Sequence, residues 1–447
     1  MSDAISRFLQ AQREAGVEFH SLTVVREGEP LVALAAEPWG LEQQSLIYSM
    51  SKTFTSAAFG IAWDEGKLSP DDLLVDLFSD LVDDRVGPKA RTIRLRDCLA
   101  MASGHTTDTI TLFQGRWDVG PEGLGDFLRW EPEGEVGVTF CYNQLCTYAV
   151  SVAISKAMGK TVHELIRERV LDPMGAGPTY WSTDSAGNSA GYSGMHIAPR
   201  DLAKFIGLLT NDGVYQGERL LPQRWIEEYP IRKVATTDDP GAPEWTNGYG
   251  WQVWRNREGH RADGACGQYG LMWPEEKLAV VITSSTDSMQ ETIDQVFDIL
   301  LPEIDQLQVP DEPVVVPPAL GAIAEPGQVW EGTDERGGRL SLTAVENGWE
   351  LLWDDADGGQ HRLGVGHGHW VEGSMTWSHE QYGERIAKVA CSAAVQDDDA
   401  IEVRIACIQT PHTAMLRLTD QARMTWTTQP LGRDTIAAIS LPAGWDE

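Results

Sequence analysis

The chain has 447 residues, enough for two or three cores, and its hydrophobic content of 42% is that of an ordinary globular protein. Its 67 acidic against 35 basic residues give a formal charge of −32, which argues against nucleic acid or an anionic membrane as partner, since both would be repelled. No run approaches the ~18 apolar residues that span a bilayer, and Met1 to Gly16 is polar and amphipathic rather than signal-like; the expected location is cytoplasmic.

In chain order, His20 to Val25 and Pro30 to Leu34 flank Arg26-Glu27-Gly28-Glu29 as a hairpin of two antiparallel strands. Ser49-Met50-Ser51-Lys52 follows. Its Ser-x-x-Lys spacing places both side chains on one face if a helix opens there. A serine hydroxyl needs a base or a nearby cation before it attacks a carbonyl, and a desolvated lysine can serve, because burial moves its pKa readily. Phe54 to Trp63 carries Ala, Phe and Ile on nearly every side and reads as a buried helix, which would put Lys52 at the bottom of a depression. Ser69-Pro70-Asp71-Asp72 reads as the start of another helix, and Thr92 to Gly104 as a short helix ending in Ser-Gly. His105 to Glu135 has no periodicity and reads as an irregular excursion of the kind that shapes clefts.

Tyr142-Asn143-Gln144 leads into an apolar helix from Ala149 to Met158, Thr161 to Glu164 is a capping box, and Pro199 to Leu209 is a further helix. Leu278 to Ser284 is a continuous apolar run suited to a central strand, preceded by Asp263-Gly264-Ala265-Cys266-Gly267-Gln268. Residues 1–308 therefore read as α+β, an antiparallel sheet flanked by helices plus a helical cluster. A proline-rich linker at 309–328 leads to an all-β accessory domain at 329–447, a meander sandwich or barrel, with strands at Arg339 to Val345, Trp349 to Trp353, His361 to Val365, Arg385 to Val395, Ile401 to Ile408 and Thr413 to Leu418. The six cysteines show no Cys-x-x-Cys spacing and read as free buried thiols. His361, His367 and His369 read as exposed loop histidines rather than metal ligands.

Ser49-Met50-Ser51-Lys52, the Leu99-to-Gly104 segment, Phe140-Cys141-Tyr142 and Gly264-Ala265-Cys266-Gly267-Gln268 occur in the order and spacing of the serine β-lactamase-like superfamily. The resemblance covers residues 5–305 and is strongest to the branch that holds class C β-lactamases, esterases and D-amino-acid peptidases. It implies an acyl-enzyme on Ser49, Lys52 as electrostatic partner and proton relay, and Tyr142 acting with Lys52 as base and then as acid to the leaving group. It also implies an oxyanion hole from the backbone N–H groups of Ser49 and Ala265, with Gln144, Asp263 and Gly264 lining the substrate site. No metal or cofactor is needed for such chemistry. Two departures stand out: the family's Tyr-x-Asn is Tyr142-Asn143-Gln144, and its Lys/His-Thr/Ser-Gly is Ala262-Asp263-Gly264, with His260 and Arg261 the nearby cations. The cation that would hold a β-lactam carboxylate is thus replaced by an acid. The expected function is a serine hydrolase acting on a small ester or peptide-like amide. An acyltransferase of the same fold and a non-catalytic binding or sensor protein are the alternatives, and the oligomeric state is left open.

Overall fold

The computed structural model describes residues 4–110, 120–237, 239–379, 383–419, 421–432 and 435–445. Its first sheet joins the two ends of the α+β region. Strand Glu18–Arg26 pairs antiparallel with its hairpin partner Glu29–Glu37 on one side and with Leu278–Ser285 on the other. Gln268–Trp273, His260–Gly264 and Trp254–Arg255 continue the sheet outward. Every residue of Leu278–Ser285 is buried because both faces are covered. Ala279 and Val281 face the helical cluster with Phe205 and Ile206, whereas Val280 and Ile282 face Ile5, Phe8, Ile293 and Val296. An uninterrupted apolar run is what such a strand requires.

The helical cluster is built on Ser51–Asp64, buried from Ser51 to Ala62, with Gln144–Met158 and Pro199–Thr210 beside it. Phe54 stacks on Phe205 at 3.7 Å between centroids, which ties the first of these helices to the last. The expected helix at Ser69-Pro70-Asp71-Asp72 is instead a turn. The Asp72 carboxylate accepts the Ser69 N–H at 2.8 Å, the Ser69 hydroxyl accepts the Asp71 N–H at 3.2 Å, and only Leu74–Leu77 is helical. Short polar side chains there bonded to local amides and diverted the backbone from a helical path.

From Val329 onward the chain forms a second, almost wholly β domain. Ten strands make one sheet that curls into a nearly closed barrel, with a bridge between Asp334 and Ala422 bringing its two edges together. Leu342, Leu351, Val389, Val403, Ile405 and Leu416 fill the interior. The six expected strands are all present. Val329–Thr333, Val371–His379, Ala422–Trp426 and the two-residue strand Leu441–Pro442 bring the count to ten and lie outside the expected set. The proline-rich segment between the domains is pinned rather than loose: Val314–Val315 lies parallel to Ala36–Glu37, and Trp370 Nε1 donates to the Val316 carbonyl at 2.9 Å. His361 departs from expectation. It is buried on strand Gln360–Gly366 and bonded to the Asp355 carboxylate at 2.8 Å, because the Asp357-Gly358 hairpin turn folds one back over the other. Among the described residues no cluster of His, Cys, Asp or Glu is arranged to hold a metal, and no helix is long and apolar enough to cross a membrane.

Ile282 is fully buried at the centre of the first sheet. Ile282→Ala is expected to destabilise the protein by about 2–5 kcal/mol through lost burial and the cavity left behind, read as a lower midpoint in chemical denaturation.

Candidate active site

Ser49 lies in a single 3₁₀ turn, Tyr48–Met50, that runs directly into helix Ser51–Asp64. The helix begins three residues earlier than its apolar run, so Lys52 sits in the first turn with its side chain folded back toward Ser49. Lys52 Nζ lies 2.9 Å from Ser49 Oγ, 2.7 Å from Gln144 Oε1 and 2.8 Å from the Tyr192 carbonyl oxygen. Only 1% of the residue is exposed. Burial is the main cause that lowers its pKa, to about 7, against the nearby carboxylates of Asp108 and Asp263, which raise it. An ammonium taken out of water is disfavoured, and the two nearby acids, half-buried Asp108 and buried Asp263, only partly offset the loss.

Tyr142 arrives from the residue pair preceding helix Gln144–Met158. Asn143 caps that helix, its side-chain oxygen accepting the Leu145 N–H at 3.1 Å and the Thr109 hydroxyl at 2.7 Å. The cap fixes the chain direction, so Tyr142 and Gln144 fall on either side of Lys52. Lys52 Nζ stands 4.7 Å from the centre of the Tyr142 ring, and the ring stacks on Trp254 at 5.4 Å and meets Tyr249 edge-on at 6.1 Å. Burial, followed by the charge of Asp263, pushes the Tyr142 phenol well above its ordinary pKa, while its hydrogen bond with Ser49 pulls in the other direction. Ser49, Lys52, Tyr142 and Gln144, spread over 96 positions of sequence, are therefore brought into one cluster.

The late strand supplies the opposite wall. Gly264 passes so close to the Ser49 turn that a Cβ there would lie 2.2 Å from the Ile47 carbonyl oxygen, which leaves room for glycine alone. Ala265 packs against Leu46 and Tyr48 at the reverse turn, beside the Ser49 turn. Asp263 does not stand as a free charge. It is buried and its carboxylate receives Arg261 Nε at 3.1 Å; burial raises its pKa, and the Arg261 guanidinium is the main opposing cause. Arg261 is itself fully buried, held by Asn256 Oδ1 at 2.6 Å and lying 4.4 Å from the Trp245 ring centre. His260, one residue earlier and thus on the other face of the strand, bonds to the Tyr229 hydroxyl at 2.8 Å and does not reach the site.

Asp108 went unrecognised in the sequence. Its Oδ1 accepts the backbone N–H groups of Gln144 at 3.0 Å and Ile110 at 3.2 Å, which sets its charge beside Lys52. Nothing local distinguishes it: it lies in the His105-to-Glu135 region, which reads as irregular in sequence although Gly120–Arg129 forms a helix, and of which residues 111–119 fall outside the described residues. Trp254, which ends the Asn247-to-Trp254 segment, backs the Tyr142 ring.

The beta-lactamase family model matches residues 1–300, two thirds of the chain. The protein belongs to the beta-lactamase family. Among solved structures the chain is similar to the octameric penicillin-binding protein homologue from Pyrococcus abyssi, at 15% identity and TM-score 0.54, covering 93% of this chain and 96% of that one. It is also similar to a Bacillus anthracis protein assigned provisionally as a 6-aminohexanoate-dimer hydrolase, at 19% identity and TM-score 0.56, covering 67% and 83%. A third is EstCE1, a hydrolase with promiscuous acyltransferase activity, at 16% identity and TM-score 0.52, covering 66% and 97%. At these identities the likeness is one of fold; the first shares both domains of this family member. No curated protein matches significantly.

The contact between Gly264 and Ile47 makes a direct prediction. Gly264→Ala is expected to leave circular dichroism close to wild type yet lower turnover by about tenfold or more, because the displaced Ile47 carbonyl carries the Ser49 turn with it.

Proposed function

We propose that the protein is a serine hydrolase that cleaves a small, uncharged ester or peptide-like amide through an acyl-enzyme on Ser49. The observation that carries this reading is the 2.9 Å approach of a largely desolvated Lys52 amine to the Ser49 hydroxyl. Carbonyl oxygens only accept, so the neutral amine directs its two N–H groups to Gln144 Oε1 and the Tyr192 carbonyl, leaving its lone pair for the Ser49 hydroxyl. With a pKa of about 7, roughly half the Lys52 population is in that form at neutral pH.

Lys52 takes the proton as Ser49 Oγ bonds to the substrate carbonyl carbon. The resulting oxyanion is received by the N–H groups of Ser49 and Ala265. Tyr142, whose phenol holds its proton at neutral pH, donates it to the departing alcohol or amine and is reprotonated from Lys52. Water then adds to the acyl-enzyme carbonyl, its proton passing to the Lys52–Tyr142 pair and on to Ser49 as the acid leaves. In this scheme Lys52 is the base of acylation and Tyr142 the acid, a division of labour that the opposite directions of their pKa shifts support.

The substrate class rests on charge. Arg261 compensates Asp263, Asp108 stays at the rim, and the wall behind Tyr142 is the aromatic set Trp254, Tyr249 and Trp245. Among the described residues, a carboxylate such as that of a β-lactam would meet no free cation there, so β-lactam turnover is expected to be weak. The neighbour named for promiscuous acyl transfer supports a second reading, in which an alcohol or amine replaces water as acceptor.

Ser49→Ala is expected to abolish turnover of p-nitrophenyl butyrate or a D-alanyl anilide by about 10³-fold or more and to eliminate the +acyl species in mass spectrometry, with nitrocefin a poor substrate throughout. Retained turnover in Ser49→Ala would sink the proposal. The kcat/KM of the wild type on a neutral ester is expected to rise with pH through a midpoint near 7, as Lys52 loses its proton. Asp108→Asn removes a negative charge that raises the Lys52 pKa, so the midpoint is expected to move to lower pH; an upward move would contradict the assignment.

A further inference from the structure

The residue before the nucleophile is held by the other domain. Tyr48 takes φ +47°, a left-handed conformation that a residue bearing a side chain adopts only when its surroundings enforce it. The Tyr48 ring is buried and its hydroxyl lies 2.5 Å from Nε2 of His412, a fully buried residue of the barrel strand His412–Leu418. His412 Nδ1 lies 2.9 Å from the Thr428 carbonyl oxygen. A carbonyl can only accept, so the His412 proton is on Nδ1 and Nε2 presents a lone pair to the Tyr48 hydroxyl, which donates.

The same barrel hairpin grips the chain upstream as well. The Gln409 carbonyl accepts the Leu46 N–H at 3.0 Å, and the Thr410 carbonyl accepts Trp39 Nε1 at 3.1 Å. Gln409, Thr410, His412 and Thr413 are all buried. On its other side Tyr48 packs with Leu46, Cys266 and Ala265. Both peptide units expected to form the oxyanion hole, at Ser49 and Ala265, therefore abut one side chain, and that side chain is aimed by the barrel.

We propose that His412 of the β domain is a positioning residue for catalysis: its hydrogen bond to Tyr48 holds the left-handed turn that aims Ser49 and seats the Ala265 turn. The accessory domain is thereby part of the catalytic machinery although it contributes no group to the reacting atoms. The inference rests on the reading of Ser49 as nucleophile. Removing the bond allows the Tyr48 peptide to relax, and a displacement of under an ångström at Ser49 is costly to attack geometry while leaving substrate binding intact.

The test uses the full chain with Tyr48→Phe, which keeps the ring, His412→Phe, which removes the acceptor, and His412→Gln, whose side-chain oxygen can accept again. Each is compared with wild type and Ser49→Ala for acylation rate, KM, thermal midpoint and the number of sites titrated in the acylation burst. Tyr48→Phe and His412→Phe are expected to lower the acylation rate per titrated site by about tenfold or more with KM unchanged, and His412→Gln to recover much of the loss. The double variant should lose no more than either single one. An acylation rate within twofold of wild type in Tyr48→Phe and His412→Phe, with Ser49→Ala inactive, overturns this inference and leaves Ser49 as nucleophile. A loss confined to fewer titrated sites or a lower thermal midpoint, with an unchanged rate per site, overturns it too. Activity in Ser49→Ala overturns the reading of the nucleophile and this inference with it.

Discussion

Burying one amine sets the requirements that the rest of the site meets. Lys52 is carried into the protein by a helix that is apolar on all sides, and an amine in that position must find acceptors or lose its charge. It does both. Gln144 and the Tyr192 carbonyl take its hydrogens, and the surrounding apolar packing lowers its pKa into the range where it can accept a proton from Ser49. Three separate parts of the chain are committed to this one atom: the helix that carries it, the Asn143 cap that presents Gln144, and the loop that brings Tyr192. The sheet and helical cluster are the scaffold that keeps those parts in register.

Charge compensation around that amine is graded by burial. Asp108, at the half-buried rim, acts on Lys52 through its field. Asp263, deeper, is neutralised by Arg261, which is held by Asn256 and lies against Trp245. A buried carboxylate without such a partner would be strongly disfavoured. Among the described residues, the charges that meet in the site thus largely offset one another, in contrast to the strongly negative chain as a whole. That contrast is what directs the proposed specificity toward uncharged esters and amides rather than carboxylate-bearing β-lactams.

The two domains meet at the strand and turn leading to Ser49. Beyond the hairpin that grips Trp39, Leu46 and Tyr48, Arg404 and Thr413 of the barrel both bond to Glu18 of the first sheet, at 3.0 and 2.8 Å. His20 stacks on Trp39 at 3.6 Å in the same contact. A buried polar contact bonded at this many points fixes one relative placement, because a shift would leave further desolvated groups unpaired.

The sequence alone determined the features that depend on neighbouring residues. Ser49 and Lys52 were legible as candidates because three residues along a helix is one turn, Tyr142 and Gln144 only through the family resemblance, and the central strand Leu278–Ser285 because burial on both faces demands an unbroken apolar run. Most barrel strands were legible from their alternation; Val371–His379 was not, since Gly373 and Ser374 interrupt the pattern that Met375 and Trp377 complete. Tertiary structure decided everything that joins distant segments. The pairing that neutralises Asp263, the field of Asp108, the depth that lowers the Lys52 pKa and the contact of His412 with Tyr48 across 364 positions all depend on where side chains point once the chain has closed on itself. Local spacing fixes which residues share a face; only packing fixes what that face meets and how much water is left there.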